Sequence, residues 1–278
     1  LLSVAKERVA SVFFPSGPAH MLPPQALEVL KLSAMQPNEA ITVALTIEED
    51  SGEIISSRVF PSTIGRVFPI DMKVADELLH NYREHDFESD EIEKKAGYPM
   101  EVIRDLLQVQ KMVSKLIAKN TWIDASYSKK ADSVQFTLNK KSGTYTPNVI
   151  SKTQSSVMLN AMLTIYSNIT CSFCEGKNVN VPIAWENRDR KDTSTVRRFA
   201  SQPLRNWLAL LQQKQIRSAL KMDIALSRKD CALAVSHHNK RRKDIAKIQV
   251  VNRDIMSYES LEAHCATIIK SGQRKVVL

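Results

Sequence analysis

No run of about 18 apolar residues occurs in this 278-residue chain, so the sequence offers no transmembrane span. No basic segment followed by an apolar one opens it, so no secretory signal is visible. Internal repeats and low-complexity tracts are missing, and glycine is scarce, with 7 in all. Cysteine is sparse too. Cys171, Cys174, Cys231 and Cys265 are too few for a disulfide framework at this length, which points to a reducing compartment. Cys171 and Cys174 form a CxxC that could pair with His237, His238 or His264-Cys265 around zinc. A structural zinc site needs a second close pair, and the sequence has none, so two half-buried helix cysteines are the alternative. The chain does not open on Met, as in a processed form or part of something longer. A removed organelle-targeting peptide is one explanation, and with the basicity it gives an expected location in a mitochondrial or plastid matrix.

What is present is ordinary globular material: 43% hydrophobic and 25% charged residues, enough to bury a sizeable core. The net charge is +9, and it is unevenly placed. Residues 1–176 carry 18 Lys+Arg against 21 Asp+Glu, whereas residues 177–278 carry 21 against 9. An excess confined to the last third points to a polyanion, most often nucleic acid, with an acidic protein or a solvated face as alternatives.

Hydrophobic periodicity predicts a mixed α+β chain. A short amphipathic helix covers residues 1–10, and Ser16-Gly17-Pro18 makes a turn after Phe13-Phe14-Pro15. A helix follows Pro23-Pro24, from Gln25 to Lys31. Ala40–Ile47 and Glu53–Phe60 form a hairpin around Asp50-Ser51-Gly52. Helices are predicted for Asp71–Tyr82, Pro99–Lys119, Gln154–Phe173, Leu204–Met222 and Arg228–Ile248. A second hairpin joins Val134–Leu138 to Thr144–Ile150, and Pro182–Trp185 is a short strand. The charged stretches Glu84–Lys95 and Arg188–Arg198 read as loops, and Leu261–Ile269 with Arg274–Leu278 as strands.

Two distant motifs carry more than periodicity does. One is Ser11-Val12-Phe13-Phe14-Pro15 with His20-Met21-Leu22-Pro23. The other is Ser201-Gln202-Pro203-Leu204-Arg205-Asn206-Trp207. With Ala5, Arg8, the Leu30–Pro37 stretch, Ile64–Leu79 and Val157–Tyr166, their order resembles the catalytic domain of ribonuclease II-type exoribonucleases, the RNB domain. The resemblance implies an α+β fold of helices and antiparallel β-hairpins. It divides the chain into an RNB-like domain over 1–258, lacking its N-terminal aspartate segment, and a segment 259–278 that starts an OB-fold or forms a terminal β-hairpin. It also implies chemistry: metal-assisted hydrolysis of RNA from the 3′ end, with aspartates holding Mg²⁺ and an arginine steadying the phosphate. Phe13 and Phe68 take places where the family clamps terminal nucleotides. Both also read as core residues, Phe68 the more so because Val67 and Ile70 flank it.

The departures from that pattern are as informative. The family's aspartate cluster would precede Leu1, and the glycine-rich approach to the late motif is missing. Leu159-Asn160 stand where the family has adjacent glutamates. Asn206, Trp207 and Ala209 replace an arginine, a tyrosine and an aspartate, and Gln213-Lys214 replace a histidine-arginine. Arg205 remains, as a phosphate ligand or as a structural arginine at a helix start. The expectation is therefore an RNA-binding protein with no catalytic and no metal-binding residues, and no cofactor. RNA would be held by Arg205, Phe13, Phe68, Trp207, Lys214 and the basic stretch Lys240, Arg241, Arg242 and Lys243. Its expected partners are single-stranded or ribosomal RNA and other proteins of an organellar ribosome or RNA-processing assembly, with no membrane. The alternative is a fragment of an active 3′→5′ exoribonuclease that uses Mg²⁺ through aspartates outside this chain. A protein-interaction module with a basic face is the third reading.

Overall fold

The computed structural model describes residues 2–82, 97–120, 122–123, 133–150, 153–186, 195–198 and 200–270. The expected loop at Glu84–Lys95 lies outside the described residues. Helix α1 (Leu2–Arg8) leads into a small ribbon of β1 (Val12–Phe14) and β2 (Gly17–Ala19), then α2 (Pro24–Leu30). The long hairpin β3 (Asn38–Ile47) and β4 (Ile54–Ile64) precedes α3 (Met72–Asn81) and α4 (Met100–Lys119). A third ribbon, β5 (Ser133–Leu138) with β6 (Tyr145–Ile150), leads to α5 (Gln154–Gly176). The chain continues through β7 (Ile183–Glu186), β8 (Thr195–Arg198), α6 (Trp207–Ala219) and α7 (Arg228–Lys270). Each strand pair is an antiparallel two-stranded ribbon, which is the α+β class expected.

Isolated ribbons are not stable alone, so helices must cover one face of each. Along β3–β4 the odd-numbered side chains Ile41, Val43 and Val59 turn inward against Tyr166 and Cys174 of α5 and Ile216 of α6. Leu45, Ile47 and Ile54 meet Val113 and Leu116 of α4 and Ile165 of α5. Leu78 and Leu79 of α3 pack on Ile103 and Leu107 of α4. The fourth cluster joins the two ends of the chain: Ala5, Val9, Met21 and Leu22 against Trp207, Leu208 and Leu211, with Val235 and Ile245 of α7 beside them. Local signals fix the helix starts. Asp71 caps α3 by accepting from the Lys73 N–H at 2.9 Å, and Thr153 with Ser156 forms a capping box on α5.

The β3–β4 tip is docked onto α4. Gly52 has φ +70, and a Cβ there would stand 2.8 Å from the Lys115 carbonyl carbon and oxygen. Gly52→Ala therefore meets both a left-handed backbone and a backbone clash. It is expected to cost about 1–3 kcal/mol, read as a lowered urea midpoint at unchanged slope.

Three expectations need correction. Leu261–Ile269 is helix, because α7 runs unbroken from Arg228 to Lys270; residues 271–278 lie outside the described residues. The described part of the expected OB-fold start is therefore helical. At 43 residues, α7 is about 64 Å long. Thr195–Arg198, expected in a loop, pairs with Ile183–Glu186. Leu204 and Arg205 lie in a turn before α6, whose cap is Asn206. In addition, α5 is long and apolar enough to cross a membrane by length and composition, although no unbroken apolar run marks it. In this fold it is the central helix, packed by α3, α4, α6 and the β3–β4 hairpin.

Candidate nucleic-acid interface

The two motifs singled out in the sequence meet through the backbone. Val9, fully buried with φ 55, turns the chain sharply after α1. A positive φ is unusual for a β-branched residue and persists only where its surroundings hold it. Here the hold is a short stitch. The Trp207 N–H donates to the Val9 carbonyl at 2.8 Å, the Ser11 N–H to the Arg205 carbonyl at 2.9 Å, and Ala10 bridges Asn206. Ser11 Oγ then accepts the Met21 N–H at 2.9 Å, which closes the β1–β2 ribbon.

The stitch presents a small aromatic surface. Phe13 faces outward from β1, 55% exposed. The Arg205 guanidinium lies over its ring, 5.1 Å from the centroid, and His20 meets it edge-on at 6.5 Å. Arg8 Nη1 donates to the His20 carbonyl at 2.8 Å and holds the ribbon from the other side. Among the described residues no carboxylate forms an ion pair with Arg8 or Arg205. An open phenyl face beside unneutralised guanidinium groups suits a ligand with flat π faces and negative charge.

The basic stretch of α7 is carried to the same end of the molecule. His237 Nε2 lies 2.8 Å from the Lys6 carbonyl, and Arg241 Nε donates to the Glu7 carbonyl at 3.3 Å. Lys240, Arg241, Arg242 and Lys243 are all exposed. The structure thus gathers Phe13, Arg205 and, through α1, the Lys240–Lys243 stretch. Phe68 is half-buried in the extended segment after β4 with Arg66 over its ring, and belongs to none of the core clusters. Lys214 is engaged by Asp223 at 3.7 Å. Trp207 is 5% exposed inside the core, so its indole faces are not open to a base. Arg8 and His20, quoted in the motifs, had no ligand role assigned from sequence. The ribbon pairing brings His20 to Phe13, and Arg8 is tied to it through the His20 carbonyl.

The donor set does not fit a magnesium ion. No group of three or more His, Cys, Asp or Glu that could hold a metal occurs among the described residues. Asn160 donates to the Ser156 carbonyl at 2.8 Å within its own helix, and Leu159 is a solvent-facing hydrocarbon. Asn206 Oδ1 accepts from the N–H groups of Leu208 and Ala209 at 2.9 and 3.2 Å, a capping duty, and Ala209 is fully buried. Mg²⁺ is hard and is held in proteins chiefly by carboxylates, and none of these side chains is one.

The CxxC cysteines are both buried within α5. Burial pushes the Cys174 thiol up to about 11, although Gln212 Nε2 lies 3.5 Å from the sulfur. A raised thiol pKa favours the protonated form in the fold. The linked stability is fully present below about 9 and is lost as pH rises towards and past about 11. Cys174 is therefore expected to resist iodoacetamide in the native protein near neutral pH and to be labelled only in strong alkali or denaturant, as read by peptide mass spectrometry.

With this geometry in view, comparison with known proteins is informative. The family model described as the RNB domain matches residues 1–265. No curated protein matches the chain. Among solved structures, the apo form of Mycoplasma genitalium RNase R is similar at TM-score 0.73 and 10% identity, covering 95% of this chain and 51% of that one. The same RNase R has also been solved with ribose-methylated single-stranded RNA and with double-stranded RNA. An active-site mutant of the Dss1 exoribonuclease from Candida glabrata gives TM-score 0.69 at 14% identity, covering 98% and 39%. Yeast Ssd1, described as a pseudonuclease, gives 0.61 at 13% identity, covering 87% and 36%. At such identities the likeness is one of fold, and this chain spans about half or less of each of those proteins.

Proposed function

This chain belongs to the RNB-domain family, and on that premise we propose that it binds single-stranded RNA around Phe13 and Arg205 without cleaving it. The observation that carries the proposal is the exposed Phe13 ring under the Arg205 guanidinium, in a fold whose described residues supply no carboxylate set for a metal. One base stacks on the open phenyl face, the guanidinium edge donates to a phosphate, and the α7 basic stretch displaces counterions. The likeness to RNase R, solved with RNA, and to Ssd1, a pseudonuclease, supports binding without hydrolysis in this fold. The proposed setting is a larger ribonucleoprotein assembly. Support comes from α7, which exposes Ile248, Val251, Ile255 and Tyr258 in its second half.

The second reading is an active metal-dependent 3′→5′ exoribonuclease of which this chain is a fragment. It is favoured by the share of RNase R and Dss1 that the chain spans. A 5′-labelled single-stranded RNA incubated with the protein and Mg²⁺, with and without chelator, separates the two. Retention with no laddering is expected. Chelator-sensitive shortening from the 3′ end would award the chain to the nuclease reading, and no retention at low salt would end the RNA-binding one.

A further inference from the structure

Phe13 is not alone in carrying an arginine. The Arg58 guanidinium lies 5.9 Å from the Phe60 ring centroid, and Arg66 lies 4.3 Å from that of Phe68. In each pair the arginine precedes the phenylalanine by two residues, the spacing that puts neighbouring side chains on one side of an extended chain. For the first pair the strand fixes that side. Val59 is buried in the core, so Arg58 and Phe60 point away from it, and Phe60 is 37% exposed.

What surrounds them is low and polar. Across the ladder Arg58 faces Ala44, Phe60 faces Thr42 and Ser62 faces Ala40, and Thr42 and Ser62 share a hydroxyl hydrogen bond at 2.6 Å. The ring and guanidinium therefore stand above a floor of small side chains. No acidic residue occurs between Ile54 and Ile70; Glu48, Glu49, Asp50 and Glu53 are at the far tip of the hairpin, Glu39 pairs with Thr63 at an odd-numbered position, alternate to the Arg58–Phe60 side, and Asp71 caps α3. Among the described residues neither Arg58 nor Arg66 is in an ion pair.

We infer that the outer face of β3–β4, centred on Arg58 and Phe60, is a further contact for single-stranded RNA, leading to Arg66 and to Phe68, which the RNB resemblance already implies as an RNA contact. The inference rests on the RNA-binding reading and extends it from one surface to a track. An acidic peptide would satisfy the guanidinium groups but leave the rings unexplained, and a duplex hides its base faces. Unpaired bases on a phosphate backbone satisfy both. Phe60 and Phe68 are at most about 26 Å apart along an extended chain, room for several nucleotides.

The test compares oligouridines of about 4 and about 16 nucleotides, the two ends of a common site-size range, by fluorescence anisotropy on the full chain. The Arg58→Gln/Phe60→Thr double variant is expected to weaken the longer RNA at least about fivefold and to leave the shorter one, held at Phe13, unchanged. A melting temperature within a degree or so of the parent's is expected, since both side chains face solvent. Equal affinity of parent and variant for the longer RNA overturns the inference while leaving the RNA-binding reading intact. Equal losses at both lengths also overturn it. If the unaltered chain binds neither oligomer, the underlying reading fails first. Photocross-linking of 4-thiouridine RNA to the unaltered protein supplies a check free of mutation: adducts are expected on the peptide containing Phe60, and their absence under conditions that label the Phe13 peptide counts against the track.

Discussion

Phe13→Ala is expected to weaken single-stranded RNA binding by roughly five- to 150-fold, the span that corresponds to one lost base stack of about 1–3 kcal/mol. The ring is 55% exposed, so its removal leaves the core intact and the melting temperature nearly unchanged. Arg205→Ala acts differently. It removes one cation, so the slope of log affinity against log salt should fall by about one unit. Arg205→Lys restores the charge but not the planar group over the ring, and should recover the salt slope with only part of the affinity. Because the guanidinium sits 5.1 Å from the ring centroid, the double variant should lose less than the sum of the two single losses. Anisotropy titrations at several potassium chloride concentrations read all of these. Wild-type affinity and slope in both single variants would remove this surface from the RNA path.

Much of the fold is legible where the chain obeys a single period. The helix at Met100–Lys119 follows its apolar spacing, and the β3–β4 hairpin follows β-branched runs around Asp50-Ser51-Gly52. Legibility ends where short β-branched runs have two solutions. Leu261–Ile269 ends on the β-branched Thr267, Ile268 and Ile269, yet it continues a helix already under way from Arg228, and extending a helix costs far less than starting a new element. The RNB-like order of motifs was readable from Ala5, Arg8, Ser11, Met21-Leu22-Pro23 and Arg205, and the family match over 1–265 agrees with it. The placement of side chains was less readable. Trp207 and Arg205 are two residues apart in one motif, yet one is core and the other surface, because Asn206 caps the helix between them. The arginine-over-phenylalanine pairs could have been found as Arg-x-Phe at Arg58 and Arg66. Which side of the strand they occupy depends on Val59 being buried, and that is a tertiary fact.

Trp207→Ala should produce the largest loss of stability, about 3–5 kcal/mol, or roughly 6–20 °C in melting temperature for a chain of this size. Trp207 is 5% exposed and packs against Ala5, Val9, Met21, Leu22, Leu208 and Leu211, so truncation opens a cavity where the two ends of the chain meet. Its backbone N–H also holds the strained Val9 carbonyl at 2.8 Å. Loosening that region should displace Phe13 from Arg205 and weaken RNA binding as a consequence of the fold. Trp207→Phe separates packing from contact. The indole Nε1 is buried and finds no hydrogen-bond partner among the described residues, so exchanging it for a phenyl ring discards an unsatisfied donor and keeps much of the volume. The expected cost is under about 1.5 kcal/mol, with RNA affinity preserved. If Trp207→Phe instead weakens RNA binding while the melting temperature holds, the indole touches the nucleic acid, and the core placement of Trp207 is not the one that matters for function.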